Sequence, residues 1–327
     1  MVSKQPTVIS TFAGCGGSSL GYKWAGYHEL LAIDFNDNAV ETFKLNFDTP
    51  IWNRDIKDCT GQEILDFCNI KKGELDLLDG SPPCQGFSTA GKRNLTDERN
   101  DLFKEFVRLI TELQPKVFVM ENVSGMIKGG YKGKFNEILK TLKDAGYNVK
   151  VKLLNTMWYE VPQSRERLIF IGVRNDLNIE PVYPESIGPP ISFREATRGL
   201  DEYEDKPLTA IIKKIAKQQP QNWNTDDKIY ESIKGNKAGA MSLKWAQWDR
   251  PIGTITKSEI SVTGIVHPDR HRYLNQDELK QLSTFPLDFK FTGRKECAER
   301  IGNAVMPRFM YHIAKTIKEQ ILDKVYG

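Results

Sequence analysis

Six short apolar runs, at residues 7–12, 29–34, 75–79, 117–121, 150–155 and 167–173, alternate with stretches at 18–25, 38–46, 101–113 and 135–145 whose apolar residues recur every three or four positions. A parallel strand pair needs a crossover of about a dozen residues or more, usually a helix. The alternation therefore predicts an α/β fold, a doubly wound and mostly parallel sheet with helices on both faces. Pro181, Pro184, Pro189 and Pro190 then break the pattern. Beyond them the chain from 191 to 292 is rich in Lys, Gln, Asn and Thr, with short β-like pieces such as 251–256. It reads as a second, smaller irregular domain. Helical period returns at 308–325, which predicts a tail packed back on the first sheet. The expected division is 1–188 with 300–327 as one domain and 189–299 as the other.

With 39% hydrophobic and 27% charged residues, the 327-residue chain falls among globular proteins, which excludes disorder and fibrous repeats. Its longest apolar runs, such as Val117-Phe118-Val119-Met120, are strand-sized, so no membrane span is expected. The first residues lack the apolar core of a secretory leader, and the expected location is the cytoplasm. Five cysteines, with no C-x-x-C and no His near a Cys pair, predict neither a disulfide framework nor a structural zinc site, and no metal is expected. The net charge of +3 announces no partner, but ten Lys or Arg against four acids between 206 and 257 make that stretch locally basic.

The turn Phe12-Ala13-Gly14-Cys15-Gly16-Gly17 follows the first strand and precedes a helix, the place where an α/β sheet opens its ligand crevice. Glycines there let a ligand approach backbone N–H groups. The dinucleotide pattern G-x-G-x-x-G fails, because its third glycine would fall on Ser19. Asp34 ends the second strand 20 positions after Gly14, where a carboxylate can accept from ribose hydroxyls. A nucleoside without a pyrophosphate fits these residues; a tight turn with an unrelated acid fits them too. The third strand ends in Asp79-Gly80-Ser81-Pro82-Pro83-Cys84-Gln85-Gly86-Phe87-Ser88, whose paired prolines hold a thiol rigidly at the sheet edge. A lone cysteine is usually a small buried hydrophobe. Here Glu121-Asn122-Val123 and Gln163-Ser164-Arg165-Glu166-Arg167 are predicted at the same edge. A thiol, a carboxyl and a guanidinium over a nucleoside pocket suit covalent catalysis.

These blocks, in this order and closed by Gly302-Asn303-Ala304-Val305-Met306-Pro307, resemble the DNA cytosine-5 methyltransferase family of bacterial or phage type, from residue 12 to 307. The resemblance implies a class I, Rossmann-like methyltransferase fold with a target-recognition domain, and S-adenosylmethionine as cofactor. It implies a cofactor pocket of Phe12, Ala13, Gly14, Cys15, Gly16, Gly17, Asp34, Phe35, Asp55, Ile56, Ser81, Pro83, Leu102, Asn303, Ala304 and Val305. Cys84, Glu121, Arg165 and Arg167 would surround the target base, with Cys84 adding to carbon 6, Glu121 sharing a proton at ring nitrogen 3 and Arg165 holding the ring carbonyl.

The partner implied is double-stranded DNA, with the target base rotated out of the stack. Gln85, Phe87, Ser88, Lys244, Arg250, Thr254 and Lys257 are the expected DNA contacts, and Lys128-Gly129-Gly130-Tyr131-Lys132 is a candidate closing loop. A monomer is expected, with any cognate restriction endonuclease acting independently. One departure stands out: Asn275, before Glu278, occupies a position where the family usually has Thr. Two other readings are an RNA cytosine methyltransferase and an inert DNA-binding relative.

Overall fold

The computed structural model describes residues 5–83, 102–127, 132–204, 206–217, 231–233, 235, 244–257, 265–269 and 271–327. All six expected strands form, at slightly different bounds, and a seventh joins them. They are β1 (Thr7–Thr11), β2 (His28–Asp34), β3 (Ile51–Asn53), β4 (Leu77–Gly80), β5 (Val117–Val123), β6 (Tyr147–Asn155) and, after the two-residue β7 (Gln163–Ser164), β8 (Glu166–Arg174). The sheet order is β3-β2-β1-β4-β5-β8-β6. The first five strands pair in parallel, while β8 lies antiparallel to both β5 and β6. The ten residues between β6 and β8 hold only a short 3-10 turn at Thr156–Trp158 and the two-residue β7, too little chain for a parallel crossover.

Strand alternation divides the core. Ile9, Leu78, Phe118 and Met120 face α3 (Gly61–Cys68), α4 (Leu102–Leu113) and α5 (Lys132–Asp144). Their neighbours Val8, Leu77, Val117 and Val119 point the other way. There they meet α1 (Gly17–Trp24) and the C-terminal helix at 307–317; α2 (Asp37–Lys44) follows β2.

The rest of the chain is irregular, as expected. It carries α6 (Phe193–Ala196), α7 (Ala210–Ala216), β9 (Lys244–Trp245), β10 (Ile252–Gly253), β11 (Ile265–Val266), α8 (Gln276–Leu282) and α9 (Arg294–Asn303). β10 pairs with β7 of the first part, and β9 with β11. Its main core, built on Phe193, Ile255, Leu282 and Phe285, also takes Cys15 from the turn before α1 and Leu20 from α1 itself. The helix at 307–317, α10 (Pro307–Ile317), carries Pro at its first turn, where no N–H is needed. A π-type turn at Lys318–Leu322 and α11 (Asp323–Tyr326) complete the tail. Among the described residues no helix is long and apolar enough to cross a membrane.

Candidate active site

One cavity of about 970 Å³ runs along the carboxyl edge of the sheet and under residues 254–257 and 299–305. At one end the chain leaves β1 through Phe12 at φ 55° and Gly14 at φ 58°. A bulky side chain in the left-handed region is an outlier that surrounding structure must hold, and such residues cluster at ligand sites. Two bonds hold the turn: Ala13 N donates to Ile33 O (3.0 Å) and Gly14 N to Asp34 Oδ2 (2.8 Å). Asp34 Oδ1 accepts from Asn36 N at 2.8 Å. Burial pushes the Asp34 carboxyl upward, opposed by those two N–H groups and by Arg300. Beside it Phe35 is 62% exposed, an aromatic face turned out into the cavity.

Every residue implied for the cofactor lines this cavity except Gly16. Gly16 (φ 92°) instead caps α1 against the ring of Phe47. Gly17 explains how the far motif closes on the near one: a Cβ there would sit 2.2 Å from Val305 O. Asp55 caps the short turn at Ile56–Asp58, accepting from Lys57 N at 3.0 Å.

The other end of the cavity is formed by Glu121, Asn122, Arg165 and Arg167. In the β5–β8 register Glu121 stands opposite Ile169, and Arg167 opposite Val123, so the two charged side chains are diagonal neighbours on one face. They form an ion pair through Arg167 Nε and Glu121 Oε1, at side-chain exposures of 14% and 13%. Arg165 is used differently. It is 4% exposed and donates to three backbone carbonyls: Nη1 to Ile255 (2.9 Å), Nη2 to Gly302 (3.0 Å) and Ala304 (3.2 Å). The resemblance implied that Arg165 holds the ring carbonyl; here it lines the cavity with its Nη groups on backbone carbonyls. Its donors tie β7 to the recognition lead-in and the closing motif, and Arg167 is the guanidinium beside the acid.

Cys84, Gln85, Phe87 and Ser88 lie outside the described residues, as does most of the 128–132 loop; the cavity wall runs up to Pro83. Three of the described cysteines have thiols held in the protonated form. Burial pushes Cys15 up to about 12 and Cys68 to about 11, and raises Cys59.

Of the expected DNA contacts, Thr254 lines the cavity and donates through Oγ1 to Ser164 O at 2.9 Å, and Lys257 lines it as an exposed side chain. Arg250 belongs to a second cleft of about 950 Å³ with Lys213, Lys217 and Trp248. Lys244 begins β9.

Two features had no signal in the sequence. Arg300 Nη1 donates to Asn36 Oδ1 at 2.9 Å and brings positive charge to Asp34. Behind the cavity, burial pushes Asp79 up to about 7, opposed by hydrogen bonds from Tyr22 (3.0 Å) and Ser18 and reinforced by Glu29. The Asn275 departure is resolved by a capping box on α8: Asn275 Oδ1 accepts from Glu278 N (2.9 Å), and Glu278 Oε2 accepts from Asn275 N (2.8 Å).

A family model described as C-5 cytosine-specific DNA methylase matches residues 6–319. The chain is 34% identical over 331 residues to the type II methyltransferase M1.HphI of Haemophilus parahaemolyticus, covering 95% of this chain and 86% of that protein. It is 31% identical over 346 residues to M.FnuDI of Fusobacterium nucleatum, covering 97% and 95%. The fold, Rossmann-like with a mixed sheet, also matches a crystal structure of a Spodoptera frugiperda DNMT2 mutant with a TM-score of 0.71 at 20% identity, over 96% of this chain and 99% of that one.

Proposed function

The chain belongs to the C-5 cytosine-specific DNA methylase family, and from that premise we propose that it methylates carbon 5 of cytosine in a specific duplex DNA sequence through a covalent adduct at Cys84. One observation carries the reading: a single cavity joins the Asp34–Phe35 end to the Glu121–Arg167 pair and reaches Pro83, the residue before the thiol. The residues present fit S-adenosylmethionine. A nearly enclosed carboxylate ends β2, an exposed ring stands next to it, and the glycine turn offers backbone. Asp34 would hold the ribose, Phe35 the purine face, and the 303–305 segment the remaining wall. When bound, that group supplies an electrophilic methyl.

The chain's own residues prepare the acceptor. Cytosine carbon 5 is a poor nucleophile, so the Cys84 thiolate first adds its electron pair to carbon 6. Glu121, which must take up a proton from solvent before it can act, delivers it to ring nitrogen 3 as this bond forms, leaving an enamine whose carbon 5 attacks the methyl group. Arg167, paired with Glu121, fixes that carboxyl and reaches the ring carbonyl oxygen, where preorganised charge lowers the barrier. Arg165 is a positioning residue, holding the lid segments over the ring. Water then takes the carbon 5 proton as the carbon–sulfur bond breaks and the thiolate leaves, and ring nitrogen 3 returns its proton to Glu121, which restores the neutral aromatic ring.

Residues 1–188 with 300–327 supply this chemistry and 189–299 the recognition, with the base rotated out of the duplex to reach the cavity. The protein works as a monomer in the cytoplasm, and any cognate endonuclease acts separately. Incubation with methyl-labelled S-adenosylmethionine and either duplex DNA or RNA tests the reading. Label should enter DNA as 5-methylcytosine; label confined to RNA, or no transfer, overturns it.

A further inference from the structure

The turn from β11 to α8 reads His267-Pro268-Asp269-Arg270-His271, and none of its described residues lines the catalytic cavity. Ligand atoms of His267, Asp269 and His271 all lie within 4.8 Å of one another. His267 is 2% exposed, its ring edge-on to Phe193, Trp248 and His271 at centroid distances of 5.5, 5.3 and 5.5 Å. We propose that His267, Asp269 and His271 form a binding site for one divalent transition metal of the zinc class, with an open position toward the second cleft.

Three observations support it. The first is spacing. A tetrahedral centre with bonds of about 2.0–2.1 Å sets its ligand atoms roughly 3.3–3.4 Å apart. His267 Nδ1 is already 3.6 Å from Asp269 Oδ2. His271 is exposed, and a ring nitrogen of it lies within 4.8 Å of the other two ligand atoms.

The second is orientation. His267 Nε2 faces Glu278 Oε1 at 3.5 Å, and Glu278 is fixed by Arg272 (2.7 and 2.9 Å) and by Asn275 N. A carboxylate beside one ring nitrogen favours the tautomer that protonates it and leaves the lone pair on the other, the kind of outer support metal-binding histidines have. The Asp269 N–H points at that same Nδ1 from 3.3 Å, a long contact that marks it as the acceptor nitrogen. A metal ion replaces this contact. The charge of Arg272 is met by Glu278 in a two-bond pair, while Lys213, Lys217 and Arg250 line the cleft beside the site.

The third is access. Asp269 and His271 line the second cleft of about 950 Å³, which leaves room for water as a further ligand. Two imidazoles and one carboxylate suit zinc and its neighbours, whereas magnesium and calcium prefer all-oxygen sets. The cysteine pattern led to the expectation of no metal; a site of two imidazoles and one carboxylate departs from that expectation. Bound metal would pin the turn to α8 through His267 and Glu278, and the site stands whether or not the methyl-transfer reading holds.

The test uses the full-length protein, stripped with a chelator and titrated with Co²⁺ and then Zn²⁺. One equivalent of Co²⁺ should give the visible absorption of a low-coordinate site without a thiolate charge-transfer band, and Zn²⁺ should displace it and raise the melting temperature. His271→Ala and Asp269→Asn, both at exposed positions, should each weaken Zn²⁺ binding by at least about tenfold. No binding below millimolar Zn²⁺, unchanged affinity in both variants, or a thiolate band pointing to cysteine would each overturn the proposal.

Discussion

Arg165 and Arg167 stand two positions apart in one motif, yet their partners give them different work. Arg165→Ala would take its donor from two buried carbonyls and one part-buried one, and an unsatisfied buried group costs about 1–3 kcal/mol before relaxation. Its melting temperature should fall by several degrees. Arg167→Ala removes a guanidinium that meets one carboxylate and one exposed backbone carbonyl, and should lose turnover by orders of magnitude with a smaller loss of stability. Calorimetry beside single-turnover kinetics separates the two; equal melting losses with equal residual activity would refute the division. Nothing in the sequence could divide them, because both carry the same chemistry and only tertiary partners distinguish them. Glu121 and Asp34 were legible, since each ends or nearly ends a strand at the carboxyl edge; Arg300 was not, since no motif names it.

Asp79 makes a second prediction at this scale. Burial raises its carboxyl to about 7, against about 3.9 in the unfolded chain. Below about pH 4 both states hold the proton, so the group favours neither. As pH rises from about 4 to about 7 the unfolded chain releases its proton first, and native stability falls until the folded group has also ionised. Asn cannot ionise and can still accept from Tyr22. Asp79→Asn should therefore melt a few degrees higher than the parent at pH 8, with the gain gone near pH 4. A gain independent of pH would show that ionisation is not its cause.

Among the elements, those with long periodic signals were readable. β1, β2, β4, β5 and α4 fall within a few residues of expectation, because alternation or helical period extends over the whole element. β3 has three residues and too few alternations to register, and α3 was missed although Thr60 caps it, accepting from Glu63 N at 3.2 Å. The antiparallel insertion of β8 follows from connection length, which strand-by-strand reading does not weigh. Asn275 offers a test of a local device. Asn275→Ala removes the α8 cap and should cost about 1 kcal/mol or more. Asn275→Thr keeps an accepting oxygen, losing only the long donations to Asp201 O (3.3 Å) and Tyr203 O (3.4 Å), and should stay near the parent. Denaturant titration gives both values; equal losses would mean that the cap is not what Asn275 supplies.

At the scale of the molecule, the second region is stitched to the first. β10 pairs with β7, Arg165 reaches Ile255, and Gly302 lets the lead-in pass so close that a Cβ there would lie 2.4 Å from Lys257 N. Residues 251–257 therefore belong mechanically to the active site, while specificity is expected in the more loosely attached stretch before and after them. Exchanging residues 191–266 for the same region of a relative with another target should move methylation to the relative's site, as read by sequencing methylated cytosines; an active chimera keeping the original site would place specificity elsewhere.

The central claim is the covalent step at Cys84. Duplex DNA copied with 5-fluorocytosine on one strand carries fluorine where a proton must leave, so an adduct formed there persists. With S-adenosylmethionine present, the expected result is a protein–DNA complex that survives denaturation, with the nucleotide mapped by mass spectrometry to the Cys84 peptide and no complex from Cys84→Ala. No stable complex on DNA that the protein binds, or an adduct on any other residue, would contradict the mechanism.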